Sequence, residues 1–259
     1  MRGWGALYRT SVALGLRRLA RHGYEREALI RVVVPLDPSR YLELPWVLHE
    51  LGAVPGERVV DLASPKLLAV QLARHGVHVT TVDRLESEIE AWRRLAGGEE
   101  NLSLQVGDGR ALPYPDASFD HGYSVSVIEH IEEPGDERAL AELARVVCPG
   151  GRVAITVPYA SGYREDWLDR PLYGEALGNE DGRYFFQRHY DDERIERLTG
   201  AVPELALVRS SIARLQPNWH VHYSRHFPKL VPLGPFYGLL ARERTGPGGD
   251  VVRLLFDRR

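Results

Sequence analysis

Short runs of apolar and β-branched residues alternate with helix-like segments through the centre of the chain, from about residue 57 to residue 157. Apolar runs of this length are typical of parallel strands that are buried on both faces. The helical segments between them favour right-handed crossovers and a parallel sheet. Asp136 is a predicted helix cap, and a further helix is predicted to begin at Asp191. The predicted strands are 58–62, 77–83, 102–106, 120–125 and 152–157, followed by 205–212 and 251–256.

The composition fits a packed globular protein and argues against several classes of partner. With 33 Lys and Arg against 36 Asp and Glu, the 259-residue chain has a net charge of -3, unlike the basic footprint of a nucleic-acid-binding protein. The one cysteine, Cys148, excludes an internal disulfide and a cysteine zinc cluster, and it fits a reducing cytosol. No apolar run is long enough to span a bilayer. We expect a cytoplasmic protein with no nucleic acid partner and no stable membrane insertion.

The two ends of the chain differ from this central region. Residues 1–48 have apolar residues at helical spacing and predict a helical flank that packs on the domain or over its mouth. A basic helix on a membrane surface is the alternative. We expect residues 49–259 to form one α/β domain with two lid segments. The first lid, 158–190, is aromatic and irregular, and the second, 213–249, is rich in proline, glycine and histidine.

An acidic residue lies at or just beyond the end of each of the first three predicted strands: Asp61, Asp83 and Asp108. In an open α/β sheet, ligands bind at the carboxyl ends of the strands. Asp61 and Asp83 are separated by about the 20 residues that divide a nucleotide-binding turn from its ribose-binding acid. A carboxylate at the end of the second strand can accept hydrogen bonds from both ribose hydroxyls, and Asp108 is placed to accept one from an adenine amine.

Two segments are the most distinctive in the chain: 107-GDGRALPYPDASFDHGYSVSVIEHI-131 and 146-VVCPGGRVAITVP-158. The first combines an acid, a Leu-Pro-aromatic-Pro-Asp run, a Ser-Phe-Asp strand start and a Glu-His pair. The second has a helix-Pro-Gly-Gly-strand turn. Together with 58-RVVDLASPK-66 and 79-VTTVDR-84, they resemble the class I S-adenosylmethionine-dependent methyltransferases that act on small molecules. The resemblance covers about residues 41–212 and leaves the flanks unassigned.

This resemblance implies a Rossmann-like α/β fold, with a seven-stranded, mostly parallel sheet and helices on both faces. It implies S-adenosylmethionine as cofactor and a small-molecule acceptor, and it makes residues 213–249 an insertion in what is usually a hairpin. It places Asp83 at the ribose, Asp108 and Gly109 at the adenine, and the other cofactor residues around these and the methionine portion. The predicted cofactor-binding residues are Asp61, Ala63, Ser64, Pro65, Lys66, Asp83, Arg84, Asp108, Gly109, Ser124 and Val125.

The first motif departs from the family pattern, because Ala63, Pro65 and Leu67 stand where glycines are usual. Ser64 is a good N-cap and Pro65 suits a first helical position, so a helix is predicted to begin at once. Its free N–H groups would then face the methionine carboxylate. Lys66 either adds a positive charge there or is a solvated helix residue. The alternative is a helix start that binds no ligand.

Two rival functions follow from this departure. The first is a degenerate, non-catalytic domain that serves as a binding or partner module. The second is an NAD-linked oxidoreductase, which would need the G-x-G-x-x-G pattern at the first turn. That pattern is absent from the chain, and adenosylmethionine has no phosphate to bind. The methyltransferase is therefore the favoured interpretation.

The candidate catalytic residues are Glu129 and His130, which would act as a general base on an acceptor hydroxyl or hold the loop by hydrogen bonds. A metal site there is disfavoured because Ser126 stands where related enzymes carry a further glutamate. We expect no metal. An aromatic acceptor pocket or a small satellite core is predicted after the fifth strand. The candidate acceptor-binding residues are Tyr159, His189, Tyr190, His220 and His222.

Overall fold

The structure is a computed structural model that describes residues 3–37, 39–172, 179, 181–216, 242–246 and 248–259. The helices are α1 (Trp4–His22), α2 (Arg26–Val33), α3 (Arg40–Leu51), α4 (Leu67–Arg74), α5 (Glu86–Ala96), α6 (Gly135–Val146) and α7 (Asp192–Gly200). The strands are β1 (Arg58–Leu62), β2 (His78–Asp83), β3 (Leu102–Val106), β4 (Phe119–Val125), β5 (Val147–Pro158), β6 (Arg164–Leu168), β7 (Tyr184–His189), β8 (Leu205–Gln216), β9 (Arg242–Thr245) and β10 (Val251–Arg258). A short 3₁₀ helix, Ile128–His130, follows β4.

The main sheet has the strand order β3-β2-β1-β4-β5-β10-β8-β9. The first five strands in this order pair in parallel, and β10 lies antiparallel between β5 and β8. The Rossmann-like, mostly parallel sheet is confirmed. Its count of eight strands corrects the predicted seven, because β8 continues beyond residue 212 to Gln216 and its end pairs antiparallel with β9.

The sheet is covered by helices on both faces, as predicted. Consecutive strand residues point to opposite faces, and they fall in different apolar clusters: Val59 packs in one and Val60 in the other. The first cluster is built with buried side chains from α1, α3, α4 and α5, and the second with side chains from α6 and α7. This double burial explains why the strands have near-continuous apolar sequences.

The N-terminal flank is helical and packs on the sheet domain. Leu7, Leu14 and Leu44 are buried in the same cluster as the helices of one sheet face. Helices α1 and α2 approach closely at Gly15, where a Cβ atom would lie 2.4 Å from the carbonyl oxygen of Ala28. The predicted boundary after residue 48 falls inside α3, so the flank and the sheet domain share one continuous helix.

The first predicted lid contains regular structure. Within 158–190, β6 and β7 pair as an antiparallel two-stranded sheet. The helix predicted to begin at Asp191 is α7, and Asp191 caps it by accepting a hydrogen bond from the Arg194 N–H at 3.0 Å. Asp136 does not cap α6, because the cap residue is Pro134 and the Asp136 carboxylate binds Arg188 instead. Most of the second predicted lid, 213–249, lies outside the described residues.

Candidate functional site

A cavity of about 360 Å³ lies at the carboxyl ends of β1, β2, β3 and β4. Its wall contains the turn after β1, the residues that follow β2 and β3, and the start of the loop after β4. Two arginines of the N-terminal flank, Arg31 and Arg40, also line it. This is the edge of the sheet at which open α/β proteins bind their ligands, and the volume is within the range of small-molecule sites.

Most of the predicted cofactor-binding residues meet at this cavity. Those in its wall are Ala63, Ser64, Pro65, Lys66, Asp83, Arg84, Asp108 and Gly109. Asp61, Ser124 and Val125 are fully buried behind the wall and do not line it. Of the predicted catalytic pair, His130 lines the cavity and Glu129 lies behind it.

Asp61 holds the turn after β1 in place. One carboxylate oxygen accepts the Ser64 N–H at 3.0 Å, and the other accepts the Thr81 hydroxyl of β2 at 2.9 Å. Burial raises the pKa of Asp61, while the Lys66 charge and these hydrogen bonds oppose the rise. The side chain therefore acts on the shape of the turn and stands behind the residues that face the cavity.

The predicted capping role of Ser64 is wrong. Helix α4 begins at Leu67, and no side chain caps it. The Ser64 hydroxyl instead accepts the Val125 N–H of β4 at 2.9 Å, so it joins the turn to the neighbouring strand. Pro65 accordingly precedes the helix and does not occupy its first position.

Ala63 has a left-handed backbone conformation with φ of 53°. Glycine adopts this conformation freely, whereas an L-residue with a Cβ atom pays roughly 1–2 kcal/mol. The turn after β1 therefore has the backbone shape that a glycine would give, although the glycine is absent.

Replacing Ala63 with glycine is expected to raise the free energy of unfolding by up to about 1 kcal/mol. Relief of the left-handed strain exceeds the roughly 0.4–1 kcal/mol of unfolded-state entropy that glycine adds. Urea denaturation measures the change. Ala117→Gly is the matched control, because Ala117 also has a positive φ, of 54°, and does not line the cavity. A loss of stability in Ala63→Gly with a gain in the control would contradict the strain argument.

Lys66 is buried, which excludes the solvated alternative. It is 4% exposed and forms an ion pair with Asp83, which is also 4% exposed. The same ammonium donates to the Ala63 carbonyl at 3.2 Å. Asp83 further accepts the Leu85 N–H at 2.9 Å. The predicted ribose-binding acid is thus held by a lysine of the glycine-free turn, a contact that sequence spacing did not reveal.

Asp108 lies at the rim of the cavity and is bound by Arg110. The guanidinium donates to both carboxylate oxygens, with the shortest contact, 2.6 Å, between Arg110 Nη2 and Asp108 Oδ2. The hydrogen bonds of Arg110 hold the pKa of Asp108 below its usual value. Asp108 therefore remains an acceptor at neutral pH, and its 44% exposed side chain is open to solvent.

A buried acid cluster joins the N-terminal flank to the loop after β4. Glu43 of α3 is fully buried, and its carboxylate accepts hydrogen bonds from Arg40 at 2.5 Å, from Ser126 at 2.5 Å and from Thr156 at 2.7 Å. Arg40 and Ser126 line the cavity. Sequence reasoning missed Arg40 and Glu43 because the family motifs do not extend to their segment with any recognisable pattern.

Glu129 belongs to the same buried region. It is 1% exposed, and its Oε2 atom has no hydrogen-bond partner within the described part of the chain. Burial raises the pKa of Glu129 to about 8, and the nearby charge of Glu43 adds to the rise. At neutral pH the carboxyl group is mainly protonated, in the range where small changes of pH alter its charge.

His130 is the neighbour of Glu129 that faces the cavity. Its Nδ1 atom lies 2.7 Å from the Phe186 carbonyl oxygen, so this nitrogen carries the donated hydrogen. Burial lowers the pKa of His130, with the Arg40 charge as a smaller cause. The imidazole is therefore neutral near pH 7 with a basic Nε2 atom, which lies 3.8 Å from Glu129 Oε1.

Of the predicted acceptor-binding residues, the three that the structure describes, Tyr159, His189 and Tyr190, do not line this cavity. Tyr190 is fully buried, and its hydroxyl donates to Asp136 at 2.9 Å. Tyr159 donates to Asp192 at 3.0 Å, and His189 Nε2 lies 2.8 Å from Asp166 on the β6–β7 sheet. His220 and His222 lie outside the described residues. Tyr190 packs in the second of the two main apolar clusters, together with side chains of α6 and α7.

The flank contributes an arginine and an aromatic contact that the sequence did not single out. The Arg31 guanidinium lies over the Trp92 ring, 5.4 Å from its centroid, and both residues line the cavity. On an amphipathic helix, an arginine is normally assigned to solvent.

Across residues 3–37, 39–172, 179, 181–216, 242–246 and 248–259, three or more His, Cys, Asp or Glu side chains do not gather into a potential metal site. None of the described helices could span a membrane.

Residues 61–155 match a family model described as a methyltransferase domain. Demethylmenaquinone methyltransferase from Corynebacterium glutamicum (strain R) is 37% identical over 148 residues, which cover 53% of this chain and 61% of that protein. The chain spans 42%, 61% and 44% of the length of three such relatives, about half.

The fold is shared with solved structures at low sequence identity. Geranyl diphosphate C-methyltransferase from Streptomyces coelicolor A3(2), solved with S-adenosyl-L-homocysteine, has a TM-score of 0.54 at 14% identity, covering 83% of this chain and 75% of that one. A cyclase has a TM-score of 0.55 at 17% identity, covering 83% of this chain and 80% of the other. At these identities the likeness concerns the fold alone.

Proposed function

We propose, on the premise that residues 61–155 form a class I S-adenosylmethionine-dependent methyltransferase domain, that the chain transfers a methyl group from S-adenosylmethionine to a small-molecule acceptor. The observation that carries this proposal is the meeting of Asp83, Asp108 and the turn 63–66 at one cavity. These groups come from three different strand ends and would contact different parts of one adenosine-containing ligand.

The residues present fit this cofactor. Asp83 would accept hydrogen bonds from the ribose hydroxyls, and Asp108 would accept one from the adenine amine. Gly109 lies so close to the Leu62 side chain that a Cβ atom would be 2.8 Å from it, which keeps the adenine side of the cavity free of a further side chain. The turn 63–66 has no phosphate-binding glycine loop, which disfavours a dinucleotide.

The bound cofactor would supply an electrophilic methyl group, and the acceptor would attack it in line with the departing sulfur. The protein would accelerate the reaction mainly by alignment of the two reactants in a site that excludes water. Where the acceptor atom carries a proton, His130 can accept it at Nε2, since the Nδ1–H is held by the Phe186 carbonyl. Glu129 lies behind His130, 3.8 Å from its Nε2 atom, and could take up that proton only when it is itself ionised, above about pH 8.

We further propose that the segments outside the central domain shape the acceptor side of this site. Residues 1–48 would serve as a cap, because Arg31 and Arg40 already line the cavity. The segments 158–190 and 213–249 would serve as lids. The net charge of -3 and the single cysteine support a small-molecule acceptor in a reducing compartment such as the cytoplasm, with no nucleic acid partner.

A non-catalytic binding module is the second candidate function. Asp83 and Asp108 are each paired with a cation of the same chain, Lys66 and Arg110. Such pairing is expected of a domain whose acids are satisfied by its own side chains and do not need a ligand. The same fold also occurs in a cyclase, so the architecture alone does not fix the chemistry.

Isothermal titration calorimetry with S-adenosylmethionine and S-adenosylhomocysteine tests the proposal. Both ligands are expected to bind the unaltered chain, and Asp83→Ala is expected to weaken both by at least about tenfold, since it removes a buried charged acceptor. NADH serves as the control ligand and is expected to give no heat. No heat and no thermal shift with either adenosyl ligand at millimolar concentration would refute the methyltransferase in favour of the non-catalytic module.

A further inference from the structure

Lys66 lies in the turn after β1 and lines the cavity in which the proposed cofactor would bind. Its ammonium group reaches from the start of α4 to the end of β2, where it pairs with Asp83. Both side chains are 4% exposed and both line the cavity. We propose that Lys66 is a positioning residue for cofactor binding, which holds the Asp83 carboxylate in place for contact with the ribose. This inference rests on the proposed function.

The capacity of the Asp83 carboxylate supports this role. An ionised carboxylate has about four lone-pair positions. In the described structure, one oxygen accepts the Leu85 N–H and the other accepts from Lys66. One position on each oxygen then remains, which is the number that the two hydroxyls of a ribose require. The ion pair is therefore compatible with a bound ribose and need not break.

The burial of the pair explains why the lysine is needed. A carboxylate that is almost entirely removed from water is unfavourable unless a cation or several donors compensate it. The Leu85 N–H is the other donor to Asp83 within the described residues. Without Lys66, the second oxygen of Asp83 would lose its charged donor, and the side chain would lose the contact that fixes its orientation.

Lys66 also connects the ribose acid to the glycine-free turn. Its ammonium donates to the carbonyl of Ala63, the residue with the left-handed backbone. The lysine thus fixes the distance between the turn after β1 and the acid after β2, both of which face the cavity. This turn lacks the glycines that usually bring the backbone close to a cofactor. The Lys66 side chain instead joins the turn to Asp83.

The test is calorimetric titration of two ligands into a set of variants. S-adenosylhomocysteine contains adenine, ribose and the amino acid portion, whereas 5′-methylthioadenosine lacks the amino acid portion. Lys66→Met is expected to weaken both ligands by the same factor, at least about tenfold, because it acts through the ribose acid. Lys66→Arg, which keeps the charge, is expected to retain more affinity than Lys66→Met.

The double variant Lys66→Met with Asp83→Asn removes both charges of the buried pair. It keeps the test possible if Lys66→Met alone does not fold. Its loss of affinity is expected to be no larger than that of Asp83→Asn, since coupled residues are not additive. Arg74→Met is the control, because Arg74 ends the helix that Lys66 directly precedes and forms an ion pair with Glu99 away from the cavity. It is expected to leave both affinities unchanged.

Three results would overturn the inference alone while the unaltered chain binds normally. The first is unchanged or tighter binding of both ligands by Lys66→Met. The second is a loss of affinity for S-adenosylhomocysteine alone, which would mean that Lys66 contacts the amino acid portion directly. The third is a loss of affinity in the double variant that equals the sum of the two single losses. Absence of binding by the unaltered chain would overturn the proposed function, and this inference with it.

Discussion

Replacing Asp136 with asparagine is expected to lower the free energy of unfolding by about 3–5 kcal/mol, the cost of breaking a buried ion pair. Asp136 of α6 and Arg188 of β7 form this pair, and both side chains are 0% exposed. Removal of the carboxylate charge leaves the Arg188 guanidinium buried with its charge uncompensated. Urea denaturation at pH 7 measures the change.

The pair is expected to be important because it organises several elements around one acid. The Tyr190 hydroxyl donates to Asp136 at 2.9 Å, and Arg194 of α7 lies 3.6 Å from it. Arg188 also donates to the Ile131 carbonyl at 2.7 Å, next to the Glu129–His130 pair. Burial works against ionisation of Asp136, but Arg188, Tyr190 and Arg194 together outweigh it and hold the pKa of Asp136 below its usual value. This contribution to stability is therefore present at neutral pH and is lost in acid, below the ordinary carboxyl range.

Asp116→Asn is the matched control. Asp116 also pairs with an arginine, Arg145, at 2.8 Å, but its side chain is 79% exposed. An exposed pair is worth about 1 kcal/mol or less, so the control is expected to change stability little. Equal losses in the two variants would show that the burial of the Arg188–Asp136 pair has no special weight.

The sheet could be predicted from the sequence because it is buried on both faces. Residues such as Val59 and Val60 contact opposite helix layers, so most positions of a central strand are apolar, and the run is visible without a structure. The eighth strand was missed for the opposite reason. Arg242–Thr245 is a short, charged edge strand, and a sequence of this kind has no alternation or apolar run to detect.

The positions of the site acids were predictable, and their partners were not. Asp83 and Asp108 could be located because they end strands, which is a local property of the chain. The ion pair of Asp83 with Lys66 joins residues from two strand ends, and its existence depends on strand order and on how α4 begins. Ser64 has the local chemistry of a helix cap, but a backbone N–H of β4 competes for its hydroxyl, and this competitor is distant in sequence.

The contribution of the N-terminal flank was the least predictable part of the site. Glu43 is a charged residue in a helix, a type normally assigned to solvent, yet it is fully buried among Arg40, Ser126 and Thr156. Ser126 has a positive φ of 51°, which directs the loop after β4 toward the flank. Sequence patterns do not reveal this contact, because Glu43 is separated from Ser126 and Thr156 by several helices and strands.

Replacing Glu129 with glutamine is expected to make the folded protein progressively more stable, relative to the unaltered chain, as the pH rises. Burial raises the pKa of Glu129 in the folded protein from an ordinary value of 4.5 to about 8. Between these two values the unfolded chain has released the proton and the folded chain retains it, so stability falls with rising pH. The fall is at most about 1.4 kcal/mol per pH unit. Glutamine does not titrate, so the variant lacks it.

Urea midpoints measured from pH 5 to pH 9 test this difference without knowledge of the acceptor. Glu132→Gln is the control, because Glu132 lies in the same loop and is exposed; it is expected to follow the unaltered chain at every pH. A constant difference in stability between Glu129→Gln and the unaltered chain over this range would show that Glu129 is already ionised in the folded protein at pH 5. The protonated form of Glu129 would then have no role in the site.

The same variant separates a catalytic Glu129 from a structural one. If the carboxylate receives the acceptor proton with His130, kcat should fall by roughly 10²–10⁴-fold in Glu129→Gln, the usual contribution of a general base. The kcat of the unaltered chain should rise with pH and level off above about pH 8, where Glu129 becomes ionised, and the variant should lose this rise. A full kcat in Glu129→Gln with the expected change in stability would assign the residue to the architecture of the loop, because its burial would then serve packing and not proton transfer.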